Sequence, residues 1–273
     1  MNNTKLAFVG AGNMAGALIG GLVKQGFSAS DINAADPYQP SLDNLQSNFA
    51  INTSAANTEA VGGANVVVLA VKPQILQTVA SEIGALVQQQ QTLVISIAAG
   101  IPLASLQKWL GADVAIVRCM PNIPALVQCG ATGLFANTHV SDAQRQTAEQ
   151  ILNAVGVSAW VGSEFELDAV TAVSGSGPAY FFLVMEAMHE SATAMGLDPE
   201  LSKRFIMQTA LGAAKMAQQS DVDPAELRRR VSSPGGTTER AVAELEGGGL
   251  RELFKIALRA AEQRSVELAQ QLD

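Results

Sequence analysis

The residues best suited to chemistry lie in short clusters rich in glycine or hydroxyl groups. The first is Gly10-Ala11-Gly12-Asn13-Met14-Ala15, which follows an apolar run and opens a helix-like stretch. Gly10 permits a tight turn, Gly12 lets the backbone approach an anion such as a pyrophosphate, and a small residue at Ala15 allows close helix–strand packing. A helix beginning there offers free N–H groups and a partial positive charge. Ser174-Gly175-Ser176-Gly177-Pro178 and Ser232-Ser233-Pro234-Gly235-Gly236-Thr237-Thr238 each precede a helix-like stretch and present hydroxyls and backbone N–H groups suited to a small carboxylate. Simple helix capping accounts for the spacing of both. Met120-Pro121-Asn122-Ile123-Pro124 follows another apolar run, and its two prolines hold the chain in an extended turn.

The elements that must position these clusters fall into two parts. Residues 1 to about 162 alternate short apolar runs with helical stretches. The runs are Lys5 to Val9, Ile32 to Ala35, Val66 to Val71, Thr92 to Ile97 and Val114 to Arg118. They are continuously apolar rather than alternating, as expected for parallel strands covered on both faces. Met14 to Gln25 and Gln74 to Val87 read as the intervening helices, which makes a Rossmann-type doubly wound sheet of α/β class. From 163 to 273 the strand signal is gone. Ala179 to Met195 has helical spacing and stops at Gly196. Asp198-Pro199 and Asp223-Pro224 each restart a helix with an acidic cap and proline at the first position. Gly247-Gly248-Gly249 separates the last two helices, and Leu250 to Leu272 is the final one. Helices apolar on more than one face, such as Ala210 to Ala214, suggest an all-α dimerisation domain that buries itself against a second copy.

On that sheet the Gly10–Ala15 turn reads as a nicotinamide-dinucleotide site on residues 1–162, although a structural glycine turn has the same spacing. Ligands of such sheets sit beyond the carboxyl ends of the strands, so Val71-Lys72-Pro73-Gln74 and Ala98-Ala99-Gly100 are expected to line the groove. Lys72 either offers charge to the cofactor or is a solvated turn residue. Asp36 ends the second run, where an acidic side chain takes the adenosine ribose. A carboxylate repels a 2′-phosphate, and no Arg or Lys follows nearby, so Asp36 favours NADH. A turn cap before Pro37 is the other reading of that residue.

Composition excludes other classes. Hydrophobic residues make up 48% and charged residues 15%, which leaves ample material for a core. The net charge of −8 and 5% aromatics argue against nucleic acid as a partner; Arg228-Arg229-Arg230 reads as a solvated helix face. With only Cys119, Cys129, His139 and His189 in the chain, no metal cluster is expected, and the thiols are expected to be reduced. No continuously apolar stretch reaches the roughly 18 residues of a membrane span, and the N-terminus lacks a signal-peptide layout, so a cytoplasmic protein is expected.

Seven stretches resemble the pyrroline-5-carboxylate reductases, in that family's order. They are Phe8 to Met14, Ala70 to Pro73, Ser96 to Gly100, Arg118 to Asn122, Ser174 to Tyr180, Gly212 to Met216 and Ser232 to Thr238. Ile123 departs from the family, which usually has threonine there. The resemblance implies reduction of the cyclic imine 1-pyrroline-5-carboxylate to L-proline, the last step of proline biosynthesis, with NADPH and often NADH as cofactor. An iminium is already a good electrophile, so the protein's part is positioning and charge complementarity. By the same resemblance, Thr238 hydrogen-bonds the ring nitrogen, and Ser233, Gly236 and Thr237 hold the substrate carboxylate. Ser174, Gly175, Ser176 and Gly177 lie near the nicotinamide, Asn57 and the 71–74 and 98–100 loops contact the cofactor, and the chain forms dimers, in some members joined into decamers. A β-hydroxyacid dehydrogenase would need a lysine base on the helix after Ser174, and none occurs before Lys203. A nucleotide-sensing protein without turnover would have no use for the Ser232–Thr238 loop.

Overall fold

The structure is a computed structural model that describes residues 4–272. It divides into two compact units, 1–176 together with 260–273, and 177–259. In the first unit β1 (Leu6–Val9), α1 (Asn13–Lys24), β2 (Ile32–Ala35), α2 (Gln39–Phe49), β3 (Asn52–Ser54), α3 (Asn57–Val61) and β4 (Val66–Leu69) are followed by α4 (Pro73–Gln90), β5 (Leu93–Ser96), α5 (Leu103–Leu110) and β6 (Ile116–Met120). Then come β7 (Gly130–Ala136), α6 (Asp142–Leu152), β8 (Gly156–Trp160) and α7 (Glu166–Val170). The strands form one sheet in the order β3-β2-β1-β4-β5-β6-β7-β8. All neighbours are parallel except β6 and β7, which run antiparallel.

Both faces of this sheet are covered, which explains the continuously apolar runs. Leu6 and Phe8 of β1 join one core with Leu18, Ile19 and Leu22 of α1, while Ala7 and Val9 join another with Leu76, Ile83 and Leu106. Every residue of β4, Val-Val-Val-Leu, is buried. Each such side chain contributes about 1.5–3 kcal/mol when fully buried.

Three strands were not expected from the sequence. β3, Asn-Thr-Ser, is a short polar edge strand. β7 contains glycines because its neighbours come too close for a side chain. A Cβ on Gly133 would stand 2.9 Å from Val170 Cγ1, and one on Gly156 of β8 would stand 2.0 Å from the Gly130 carbonyl oxygen. Those glycines erase the apolar pattern by which a strand is recognised.

The strands end at Trp160, yet the first unit runs on to residue 176. Leu167 and Val170 of α7 pack against Gly133, and Thr171–Gly175 continues α7 as a π-helix. Residues 260–273 rejoin this unit, where the Ser265 hydroxyl donates to Asp168 Oδ1 at 2.6 Å in a buried pair. Cys119 is buried, and burial pushes its thiol pKa up; Cys129 is exposed.

The second unit is helical: α8 (Gly177–Ala194), α9 (Pro199–Gln218), α10 (Pro224–Arg230), α11 (Thr237–Gly247) and the first part of α12 (Leu250–Leu272). The expected caps are present. Asp198 accepts from Leu201 N at 2.9 Å, Asp223 accepts from Glu226 N at 2.8 Å, and Gly196 has φ +92°. His189 Nδ1 and Ser202 Oγ, 3.1 Å apart, tie α8 to α9. Along α8 only Gly177 is buried in the single chain, while Phe181, Phe182 and Leu183 are all more than 60% exposed.

The helical run Glu166–Ala194 is long and apolar enough to cross a membrane by length and composition alone. The run contains Glu186 and Glu190, and these charges break the continuously uncharged stretch sought in the sequence.

Candidate nucleotide and substrate sites

The strand order reverses between β1 and β4, the switch point at which open α/β sheets bind their ligands. The turn after β1 is shaped by two different glycines. Gly10 has φ +103° and donates its N–H to Ala35 O at 2.8 Å, and a Cβ on it would stand 2.6 Å from the Ala70 carbonyl oxygen. The protein itself therefore demands glycine there. Gly12, the N-cap of α1, has φ −76°, and a Cβ on it would meet nothing within 4 Å. Its bare backbone leaves open space over the start of α1, where an anion is attracted. Ala15 is fully buried and lets α1 lie close to the sheet; Ala11 is buried, Asn13 exposed and Met14 half-buried.

The other expected cofactor residues surround that switch point from neighbouring strand ends. Val71, Lys72, Pro73 and Gln74 follow β4, with Lys72 as N-cap and Pro73 as first residue of α4. Ala98, Ala99 and Gly100 follow β5, and Gly100 turns with φ +75°. Asn57 opens α3, where its amide donates to Glu82 Oε2 at 2.8 Å. Asp36 follows β2, and its carboxylate caps the turn before α2 and also reaches the glycine turn. Its Oδ1 accepts the Tyr38 N–H as a turn cap, and its Oδ2 accepts the Ala11 N–H of the glycine turn, each at 2.8 Å.

Ser174 and Gly175 belong to the π-helix rather than to a loop, a form often found at functional sites. The reason is a clasp built by Asn122. Its Nδ2 donates to Ser174 O (3.1 Å) and Ser174 Oγ (3.0 Å), and its Oδ1 accepts from Ala131 N (2.9 Å). Ser174 Oγ in turn donates to Ala131 O at 3.1 Å. Gly175 lies beside it, where a Cβ would stand 2.6 Å from Met120 Cε and the methionine tip would have to move aside. Ser176 ends the π-helix by donating its N–H to Thr171 O at 2.8 Å. Asn122→Ala is expected to lower the melting temperature by on the order of 5 °C, since it leaves the half-buried Ala131 N–H and the Ser174 bonds unmet; scanning calorimetry checks this.

Sequence reasoning noticed the Met120–Pro124 turn but missed Asn122 as its working residue. Nothing in sequence spacing joins residues 122, 131 and 174. It also missed the pair of Arg118 Nη1 with Glu164 Oε1 at 2.7 Å, in which Glu164 Oε1 further accepts the Leu103 N–H at 2.8 Å. That carboxylate ties β6 to the start of α5 and steadies the end of the 98–100 loop.

In the second unit the Ser232–Thr238 segment opens α11. Gly235 turns with φ +70° and gives its N–H to Glu239 Oε2 at 2.7 Å. Gly236, the N-cap, gives its N–H to Ser233 O at 2.9 Å, so the next free helix-start donors are Thr237 and Thr238. Ser232 Oγ donates to Arg228 O at 2.7 Å, whereas Ser233, Thr237 and Thr238 are exposed. Farther along, the Arg251 guanidinium hydrogen-bonded to Glu246 holds that exposed carboxyl below its usual range.

Residues 164–268 match the family model for pyrroline-5-carboxylate reductase dimerisation, and residues 5–100 match that for NADP oxidoreductase, coenzyme F420-dependent. A pyrroline-5-carboxylate reductase of Pseudomonas aeruginosa is 53% identical over 272 residues, covering 100% of this chain and 99% of that protein. The chain belongs to the pyrroline-5-carboxylate reductase family. Among solved structures, the pyrroline-5-carboxylate reductase of Coxiella burnetii superposes with a TM-score of 0.96 at 43% identity, covering 98% of this chain and 99% of that one. The Plasmodium falciparum pyrroline carboxylate reductase with NADP bound superposes with a TM-score of 0.85 at 30% identity over 98% of this chain and 99% of that one.

Proposed function

We propose that this enzyme reduces 1-pyrroline-5-carboxylate to L-proline by hydride transfer from NAD(P)H. The observation that carries the proposal is the kinship along the whole chain, which includes both the glycine turn of β1–α1 and the Ser232–Thr238 helix start. The dinucleotide supplies the hydride when bound. The residues around the switch point fit it: a bare backbone at Gly12, an anion-attracting helix start and a ribose-type carboxylate at Asp36.

The chain's own work is to bind, orient and complement charge. In this reading the exposed hydroxyls of Ser233 and Thr237, with the open N–H groups of α11, hold the substrate carboxylate. Gly236 contributes the turn rather than a donor, its N–H being taken by Ser233 O. The Thr238 hydroxyl hydrogen-bonds the ring nitrogen and holds the proton there. The Asn122–Ser174 clasp keeps the 174–177 segment in place beside the cofactor groove. We assign cofactor binding to residues 1–162, and substrate binding and dimerisation to 163–273, with dimers joining into decamers in the cytosol.

Purified protein given NADPH or NADH and 1-pyrroline-5-carboxylate is expected to consume the reduced nicotinamide and yield proline. No consumption with either dinucleotide overturns the reading. Thr238→Ala is expected to lower kcat/KM about 10- to 100-fold, the scale of one positioned hydrogen bond. Unchanged steady-state kinetics would remove Thr238 from the mechanism.

A further inference from the structure

The end of β2 is where a dinucleotide-binding sheet distinguishes a ribose 2′-hydroxyl from a 2′-phosphate. Here that place is held by Asp36, whose carboxylate is locked by the N–H groups of Ala11 and Tyr38, both at 2.8 Å. A carboxylate offers about four acceptor sites. Two are spent on the backbone, and two remain for the paired hydroxyls of an unmodified ribose, which donate charge-assisted hydrogen bonds. A 2′-phosphate has no such proton to give and brings about −1.5 to −2 of charge to the same spot.

No lysine or arginine occurs in the sequence between Lys24 and Lys72, the stretch that contains β2 and α2. The cavity of about 450 Å³ beside the turn, lined by Ala11, Gly12, Tyr38, Ser41 and Asn44 among others, has no charged residue in its lining. The first 100 residues contain three cations, Lys5, Lys24 and Lys72. Lys5 lies before the start of β1, the end away from the turn, and Lys24 ends α1 with its Nζ on Gln128 Oε1 at 2.9 Å. Lys72 follows β4, which flanks β1 on the side away from β2. The start of α2 is equally unhelpful to a phosphate. Pro40 has no N–H, and the Ser41 N–H donates to Tyr38 O at 3.1 Å.

We propose that Asp36 makes this chain selective for NADH over NADPH, an inference that rests on the nicotinamide-dependent reading above. The test measures dissociation constants of NADH and NADPH without substrate, by nicotinamide fluorescence on the intact protein and on Asp36→Asn. The asparagine keeps the shape and an acceptor but removes the charge. The expected result is tighter binding of NADH by the unaltered chain, about tenfold or more, the scale of one like-charge contact near a protein surface. In Asp36→Asn that ratio is expected to move toward NADPH by a similar factor. Equal or tighter NADPH binding by the unaltered chain, or a ratio unmoved in Asp36→Asn, overturns the proposal while leaving the reductase reading standing. Binding of neither dinucleotide overturns both.

Discussion

Gly10→Ala is expected to lower the melting temperature by about 5–15 °C, whereas Gly12→Ala is expected to leave the fold almost intact and damage only dinucleotide binding. At Gly10 two costs add. The backbone has φ +103°, a region that an L side chain rarely adopts, and the new Cβ would stand 2.6 Å from a carbonyl oxygen of the neighbouring strand connection. Each is worth about 1–3 kcal/mol. Neither partner can yield cheaply, since Gly10 N–H is bonded to Ala35 O and Ala70 N–H to Val9 O, both at 2.8 Å. At Gly12 the backbone is ordinary and the Cβ meets open space, so the stability cost is confined to a poorer helix N-cap, about 1 kcal/mol. Its methyl would instead occupy the room through which a pyrophosphate approaches, and affinity for NADH or NADPH should fall at least tenfold. Calorimetry and fluorescence titration of the two variants together separate the roles. A Gly12→Ala protein that binds as tightly as the parent would remove the phosphate role from this turn.

The second large effect concerns self-association. Phe181, Phe182, Leu183 and Val184 are consecutive on α8, so they point around the whole helix, and all four are exposed in the single chain. Phe205, Met207, Leu211 and Met216 of α9 and Leu253, Phe254 and Ile256 of α12 are exposed as well. Apolar surface on this scale marks an interface, and residues 164–268 match the dimerisation model of the family. Phe182→Glu combined with Leu183→Glu places two charges where a partner copy would bury apolar rings. Light scattering after size-exclusion chromatography is expected to show an even multiple of the chain mass for the parent and a single chain mass, or unfolded protein, for the variant. The melting temperature of the parent should also rise with protein concentration, as it does when folding and association are linked. A double variant that keeps the parent's mass and stability would place the interface elsewhere.

Much of the local structure of the candidate nucleotide site was legible because its determinants are local. Gly10, Gly12 and Ala15 act within one strand–turn–helix, and Asp36 sits at the end of the next strand. Residue type and spacing therefore carried the reading. The helical caps Asp198 and Asp223 were legible for the same reason. The Asn122 clasp was not, because it joins residues 9 and 52 positions apart. The Arg118–Glu164 pair, 46 positions apart, was hidden likewise.

Sequence alone determined the fold class, the place of the dinucleotide turn and the kinship carried by the Ser232–Thr238 motif, since apolar periodicity, glycine spacing and proline placement act over a few residues. The tertiary structure decided three other matters. It showed that Gly10 is demanded by the fold and Gly12 is not. It placed Ser174 and Gly175 in a π-helix. It also fixed the Asp36 carboxylate against the turn through the N–H groups of Ala11 and Tyr38. Each depends on what another segment brings to within a few ångströms, and no local pattern contains that distance.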